Sequence, residues 1–151
     1  MPNTEGIEEE LARCDIAGPA SPKMIAAAER ELGVKFPKSY RWFLVNYGAA
    51  LCDGFRIAGL FEGDFEDEPP LWSNVVTLTS QLRHASRGRF PLSYVAISDD
   101  GGDYKFFLDT SQLEREEECP VIVVGPGAVE IPVAETFIDF LIHAFSDDIS
   151  F

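Results

Sequence analysis

Leu32-Gly33-Val34-Lys35-Phe36-Pro37-Lys38-Ser39-Tyr40-Arg41-Trp42-Phe43-Leu44-Val45-Asn46-Tyr47-Gly48 writes the end of one helix and the whole of the next. Leu32 closes an inner stripe begun by Ile25, Ala28 and Glu29, and Gly33 suits the left-handed position just past a helix. Pro37 suits the first turn of a second helix, where the amide it lacks would have had no partner. Tyr40, Phe43, Leu44 and Tyr47 then recur at i, i+3, i+4 and i+7, and Gly48 stops the run. The spacing predicts two short helices packed by aromatic residues, with Phe36, Tyr40, Phe43 and Leu44 in the core. Glu29 is read as a structural carboxylate, at the edge of the stripe or paired with a base such as Arg41.

Upstream, Ile7, Leu11 and Cys14 stand at helical spacing after a possible Thr4 cap, which predicts a helix over about residues 5 to 14. Ser21-Pro22 restarts a helix. Downstream, Phe55 to Phe61 alternates weakly and reads as a strand. An acidic loop follows, in which Glu62, Asp64, Glu66, Asp67 and Glu68 have no compensating base and are interleaved with Phe61 and Phe65. Pro69-Pro70 and Trp72 close it. Ser73 is the expected cap of a helix with Val75, Leu78 and Leu82 on one face.

Beyond Gly88 and Pro91, Tyr94 to Ser98 and Tyr104 to Leu108 are β-rich runs around Asp99-Asp100-Gly101-Gly102-Asp103, a hairpin signal. Pro120 to Gly125 and Val129 to Val133 form a second expected pair, turned at Gly125-Pro126-Gly127. Ala134-Glu135-Thr136 then leads into a closing helix with Phe137, Phe140, Leu141 and Ala144 on its apolar face. This order describes a single α+β domain with a largely antiparallel or mixed sheet, flanked by N-terminal helices and a C-terminal helix. Residues 1–20 are expected to be an N-terminal helical extension, and 21–151 the domain.

A chain of 151 residues with 46% hydrophobic content suffices for one core. Its net charge of -14 is unevenly placed: 13 acids and 10 bases through Arg89 leave -3, whereas 13 acids against Lys105 and Arg115 from Phe90 onward leave -11. Such a field disfavours nucleic acid and anionic membranes and favours basic proteins. The N-terminus lacks the pattern of a signal peptide, and no run is long enough to span a membrane, so a cytoplasmic location is expected. Cys14, Cys52 and Cys119 are odd in number and far apart. They are read as small buried apolar residues in a reducing compartment, without a disulfide framework or a zinc site.

Chemistry is poorly signalled. Asp99, Asp100 and Asp103 lack the alternating ligands and terminal Glu of a calcium loop, and His84 and His143 stand at no ligand spacing. There is no nucleophile elbow and no phosphate-binding glycine loop, so no catalytic residue, metal or cofactor is expected. Lys23, Lys35, Lys38 and Arg41 form a basic patch beside Tyr40 and Trp42, read as a solvated helix face able to pair with the acidic half.

The succession Glu29, Leu32-Gly33, Phe36-Pro37-x-x-Tyr40, Phe43-Leu44 and Asn46-x-Gly48 resembles the N-terminal signature of the SUKH superfamily. Trp72, the block Tyr94 to Asp109 and the closing helix extend the resemblance over about residues 25–145. Tyr47 between Asn46 and Gly48 departs from the family's usual direct Asn-Gly. Members are mostly bacterial immunity proteins, with some eukaryotic regulators of cell-wall synthesis. The resemblance implies a non-catalytic protein that neutralises a cognate toxin, such as a nuclease, with a toxin-free regulatory or scaffold module as the alternative and a small hydrolase as a third reading. The residues supply a compatible electrostatic logic, because an acidic surface with aromatic anchors fits a basic partner. The expected partner-binding residues are Glu62, Asp64, Phe65, Glu66, Asp67, Glu68 and Trp72, together with Asp99, Asp100 and Asp103.

Overall fold

The computed structural model describes residues 5–52, 55–61, 73–99, 104–113, 117–125 and 128–146. In chain order these form α1 (Glu5–Leu11), β1 (Asp15–Ile16), α2 (Pro22–Leu32), α3 (Lys38–Asn46), β2 (Ala50–Cys52) and β3 (Phe55–Ile57). Next come α4 (Val75–Ala85), β4 (Tyr94–Asp99), β5 (Lys105–Asp109), a 3-10 turn at Thr110–Gln112, β6 (Val121–Gly125), β7 (Ala128–Ala134) and α5 (Phe137–Phe145). The strands form one sheet in the order β1 to β7, each antiparallel to the one before it. The α+β class and the antiparallel hairpins expected from the sequence are present.

Local chemistry sets the helix ends. Ser21 caps α2 by accepting from the Met24 amide, and Gly33 ends the helix at φ 72. The helix α3 starts one residue after Pro37, which takes the cap position at φ -66. Thr136 accepts from the Asp139 amide to open α5. Three expectations need correction. The first helix stops at Leu11, and the chain then enters a two-residue strand that the sequence pattern is too short to reveal. Asn74 caps α4 in place of Ser73, its Oδ1 accepting from Val76 and Thr77, because it stands directly before the first helical residue. The strand expected over residues 55 to 61 ends at Ile57: Ala58 N still donates to Ile97 O of β4, but Gly59 bridges Asn74 instead of continuing the ladder.

Side-chain alternation sends β4 to β6 into two apolar layers. Val95, Ile97, Phe106, Leu108, Val121 and Val123 share one cluster with Ile7 and Leu11 of α1, with α2 and α3, and with Phe137 to Leu141 of α5. Tyr94, Ala96, Phe107 and Ile122 face the other way, against Leu78 and Leu82 of α4 and Phe90. Apolar residues are wanted on both faces, which is why these strands read as unbroken apolar runs. Phe36, Tyr40, Phe43 and Leu44 are fully buried, as their helical spacing predicts. Tyr40 meets Phe137 edge-on with centroids 5.0 Å apart, and Phe43 meets it at 5.5 Å, which joins α3 to α5.

Two glycines set how closely the layers approach. Gly48 lies at φ 76, and a Cβ there would meet the carbonyl oxygens of Gly18 and Leu60. A Cβ on Gly59 would meet the Gly48 carbonyl oxygen, while Leu60 N donates to that same oxygen at 2.9 Å. The end of α3 and the exit from β3 therefore cross backbone on backbone.

A candidate partner-binding surface

The residues singled out for recognition lie mostly between described elements. Glu62, Asp64, Phe65, Glu66, Asp67, Glu68 and Trp72, with Asp100 and Asp103, lie outside the described residues. What is described is where those segments begin and end. Gly59 bridges Asn74, Gly59 N donates to Ser73 O at 2.9 Å, and Val75 N donates to Gly59 O at 2.8 Å, so the two ends of the acidic loop meet. Asp99 is the last residue of β4, and its ladder partners are Arg56 on β3 and Lys105 on β5. Its register neighbours thus carry the opposite charge.

The polar residues of the sequence signature are structural. Glu29 Oε2 accepts from the Phe36 amide at 2.8 Å, and Arg41 Nε donates to the Phe36 carbonyl at 3.1 Å. Of the two readings of Glu29, the carboxylate holds the link between α2 and α3 through a backbone amide. Tyr40 donates its hydroxyl to Ala58 O at 2.6 Å, and complete burial pushes its pKa far above the ordinary phenol value. Asp109, at the end of β5, accepts from Ser111 N and Oγ with one oxygen and from Gln112 with the other, closing the 3-10 turn.

The basic patch is answered by the acidic run of the second half. Lys38 N donates to Glu117 O at 2.7 Å, and Ser39 Oγ donates to Glu118 Oε1 at 2.6 Å. Lys35 lies 3.4 Å and Arg41 4.0 Å from the Glu117 carboxylate. The Lys35–Glu117 pair is exposed and worth less than about 1 kcal/mol, whereas Arg41 is half-buried and its Nη2 lacks a hydrogen-bond partner among the described residues. The effect of these contacts is to join α3 to the β5–β6 connection and to lower the free positive charge of that helix face.

Cys14 and Cys52 are not separate apolar residues. They form a disulfide with Cα atoms 4.6 Å apart and a sequence separation of 38, tying the approach to β1 onto the end of β2. Spacing gave no hint of it, because the pair is brought together by the β1–β2 ladder. Closing a loop of that length contributes about 4 kcal/mol in the chain-entropy account. Cys119 does fit its expected role: it is free and buried, and burial, then Glu118 and Asp109, pushes its pKa up to about 12.

Sequence reasoning also missed a groove of about 300 Å³ between α1 and α5, lined by Gly6, Ile7, Glu10, Ile142, Phe145 and Ser146. Ile142 is 44% exposed there. The available signal was that α5 carries an apolar residue outside its inner stripe. Among the described residues no three His, Cys, Asp or Glu side chains come together to hold a metal, and no helix is long and apolar enough to cross a membrane.

A family model matches the chain over residues 19–143, from just before α2 to the second half of α5. That span contains the Glu29, Phe36 and Tyr40 contacts, the Gly48–Gly59 crossing and the sheet from β2 to β7. The protein belongs to the SMI1 / KNR4 family (SUKH-1), a family of immunity and regulatory roles.

Proposed function

We propose that this chain is a non-catalytic immunity protein of the cytoplasm that binds a basic toxin, a nuclease domain, and blocks it. The observation that carries the reading is the charge distribution on a SUKH-1 scaffold. Of the net -14, a share of -11 falls from Phe90 onward. Within the described residues, the basic patch on α2 and α3 is partly answered by Glu117 and Glu118. A nuclease must present Lys and Arg to phosphates, and a rigid acidic surface attracts those same groups. Phe65 and Trp72 supply the apolar anchors that charge alone lacks.

The test asks whether a toxic domain is encoded beside the gene for this chain, and then follows binding to that domain by surface plasmon resonance at low and high salt. Wild type associates quickly, and its rate falls with salt. The combined Glu66→Ser, Asp67→Ser and Glu68→Ser variant associates more slowly with a flatter salt dependence, and Trp72→Ala mainly dissociates faster. Equal protection and equal salt dependence in the triple variant refute the acidic-loop surface. Absence of any complex with that domain refutes the immunity reading.

A further inference from the structure

We propose that the Cys14–Cys52 disulfide is a reversible redox latch that holds the N-terminal segment, residues 5–16, on the sheet edge and on α5. The segment is otherwise thinly attached. Its strand pairs with β2 at two rungs only, Asp15 to Leu51 and Ile16 to Ala50, and both β1 residues are exposed. Ile7 and Leu11 are its buried apolar anchors, reaching the core beside α5.

Charge works against the attachment. Glu5, Glu8, Glu9, Glu10 and Asp15 against Arg13 give the segment -4, while the remainder carries -14 less -4, or -10. Like-signed bodies of this size repel, so the covalent link opposes a standing tendency to separate.

The geometry also provides a route for reduction. Cys14 is half-buried at the open edge of the sheet, while Cys52 is more deeply buried behind it. A thiolate of a cellular dithiol reductant attacks Cys14 Sγ, forming a mixed disulfide, and Cys52 leaves as a thiolate that takes up a proton. The second thiol of the reductant then closes on the first, releasing Cys14 as a thiolate that is protonated in turn. Two electrons pass to the protein and the dithiol becomes a disulfide. Cys119 is a fully buried residue of the β5–β6 connection, so its thiol is withheld from the exchange at the sheet edge. On the cytoplasmic location proposed above, a cystine pair is characteristically transient and redox-sensing.

Released, the segment would uncover the outer edge of β2 and the Ile142–Phe145 side of the α1–α5 groove. The latch does not depend on the identity of any partner. Its test compares the intact chain in oxidised form and after reduction by dithiothreitol. Hydrogen exchange is followed on residues 5–16, and trypsin cleavage after the exposed Arg13 by mass spectrometry. Reduction is expected to speed both by at least about tenfold while exchange in β4 to β6 stays unchanged. Re-oxidation restores protection. The Cys14→Ser, Cys52→Ser variant matches the reduced form and no longer responds to the reductant, whereas Cys119→Ser responds like wild type. Equal cleavage and exchange in the two redox states of the wild type would overturn the latch, as would a response that survives in the double variant.

Discussion

Replacing Tyr40 by Phe isolates a single buried hydroxyl whose loss has a calculable effect at neutral pH and a different one in alkali. Tyr40 is fully buried and donates to Ala58 O at 2.6 Å, while Ala58 N is already engaged with Ile97 O at 2.7 Å. The phenyl ring of Tyr40→Phe keeps the contacts with Phe36 and Phe137 and leaves the Ala58 carbonyl short of a donor. The expected cost is about 1–3 kcal/mol, the penalty of a buried acceptor left unpaired. For a chain of this size that lowers Tm by roughly 3–10 °C.

Alkali changes the comparison. The folded pKa is raised above the unfolded value of 10.0, so the contribution of this phenol is complete below pH 10.0 and is lost as pH rises above it, because the unfolded chain ionises first. At roughly pH 11 the unfolded wild type gains about 1.4 kcal/mol from that ionisation, which the variant cannot gain. The stability gap should therefore narrow by that amount between pH 7 and roughly pH 11 in urea titrations followed by near-ultraviolet circular dichroism. The remaining tyrosines and Cys119 are common to both proteins and cancel. A gap that is absent at pH 7, or one that stays constant into alkali, would refute the buried Tyr40–Ala58 bond.

Substitutions at Glu29, Gly59 and Gly33 test the backbone bonds and close approaches. Glu29→Ala should cost about 1–2 kcal/mol in urea unfolding by leaving the Phe36 amide unpaired, and Glu29→Gln, which keeps an acceptor, should recover most of it; equal losses would mean that charge rather than the bond matters. Gly59→Ala should abolish folding or cost well over about 3 kcal/mol, because its Cβ meets the Gly48 backbone, whereas Gly33→Ala, with open space around its Cβ, should cost only about 1–2 kcal/mol for its positive φ. Similar melting of the two variants would refute the close crossing.

The elements most legible in the sequence were those whose pattern is long enough to repeat. The α3 stripe of Tyr40, Phe43 and Leu44, the strand pair flanking Asp99 to Asp103 and the α5 face all occupy several turns or rungs; the stripe is buried, the strands pair, and Phe137, Phe140 and Leu141 are buried while Ala144 is only half-buried. The strands β1 and β2 have two and three residues, too few for alternation to register. The roles of Glu29 and Asp109 were hidden for a different reason: both bond to backbone or hydroxyl groups whose position depends on a turn that composition does not specify. The cysteine pair was missed because proximity came from strand pairing across a separation of 38 residues. Of the expected recognition residues, Asp99 is placed at the end of β4, between ladder partners of opposite sign, a relation only register could supply.

The Gly59–Asn74 bridge separates the loop from the fold it hangs on. The hydrogen bonds from Gly59 to Ser73 and from Val75 to Gly59 are made by backbone atoms on the near side of the loop, so they do not depend on which residues fill positions 62–72. Loop closure costs only about 0.6 kcal/mol more for each doubling of length. The scaffold is thus built like a socket whose rim is tied by backbone alone, so side chains at positions 62–72 can change while these bonds stay in place. If the loop carries recognition as proposed, insert and socket are then free to change at different rates within one small chain.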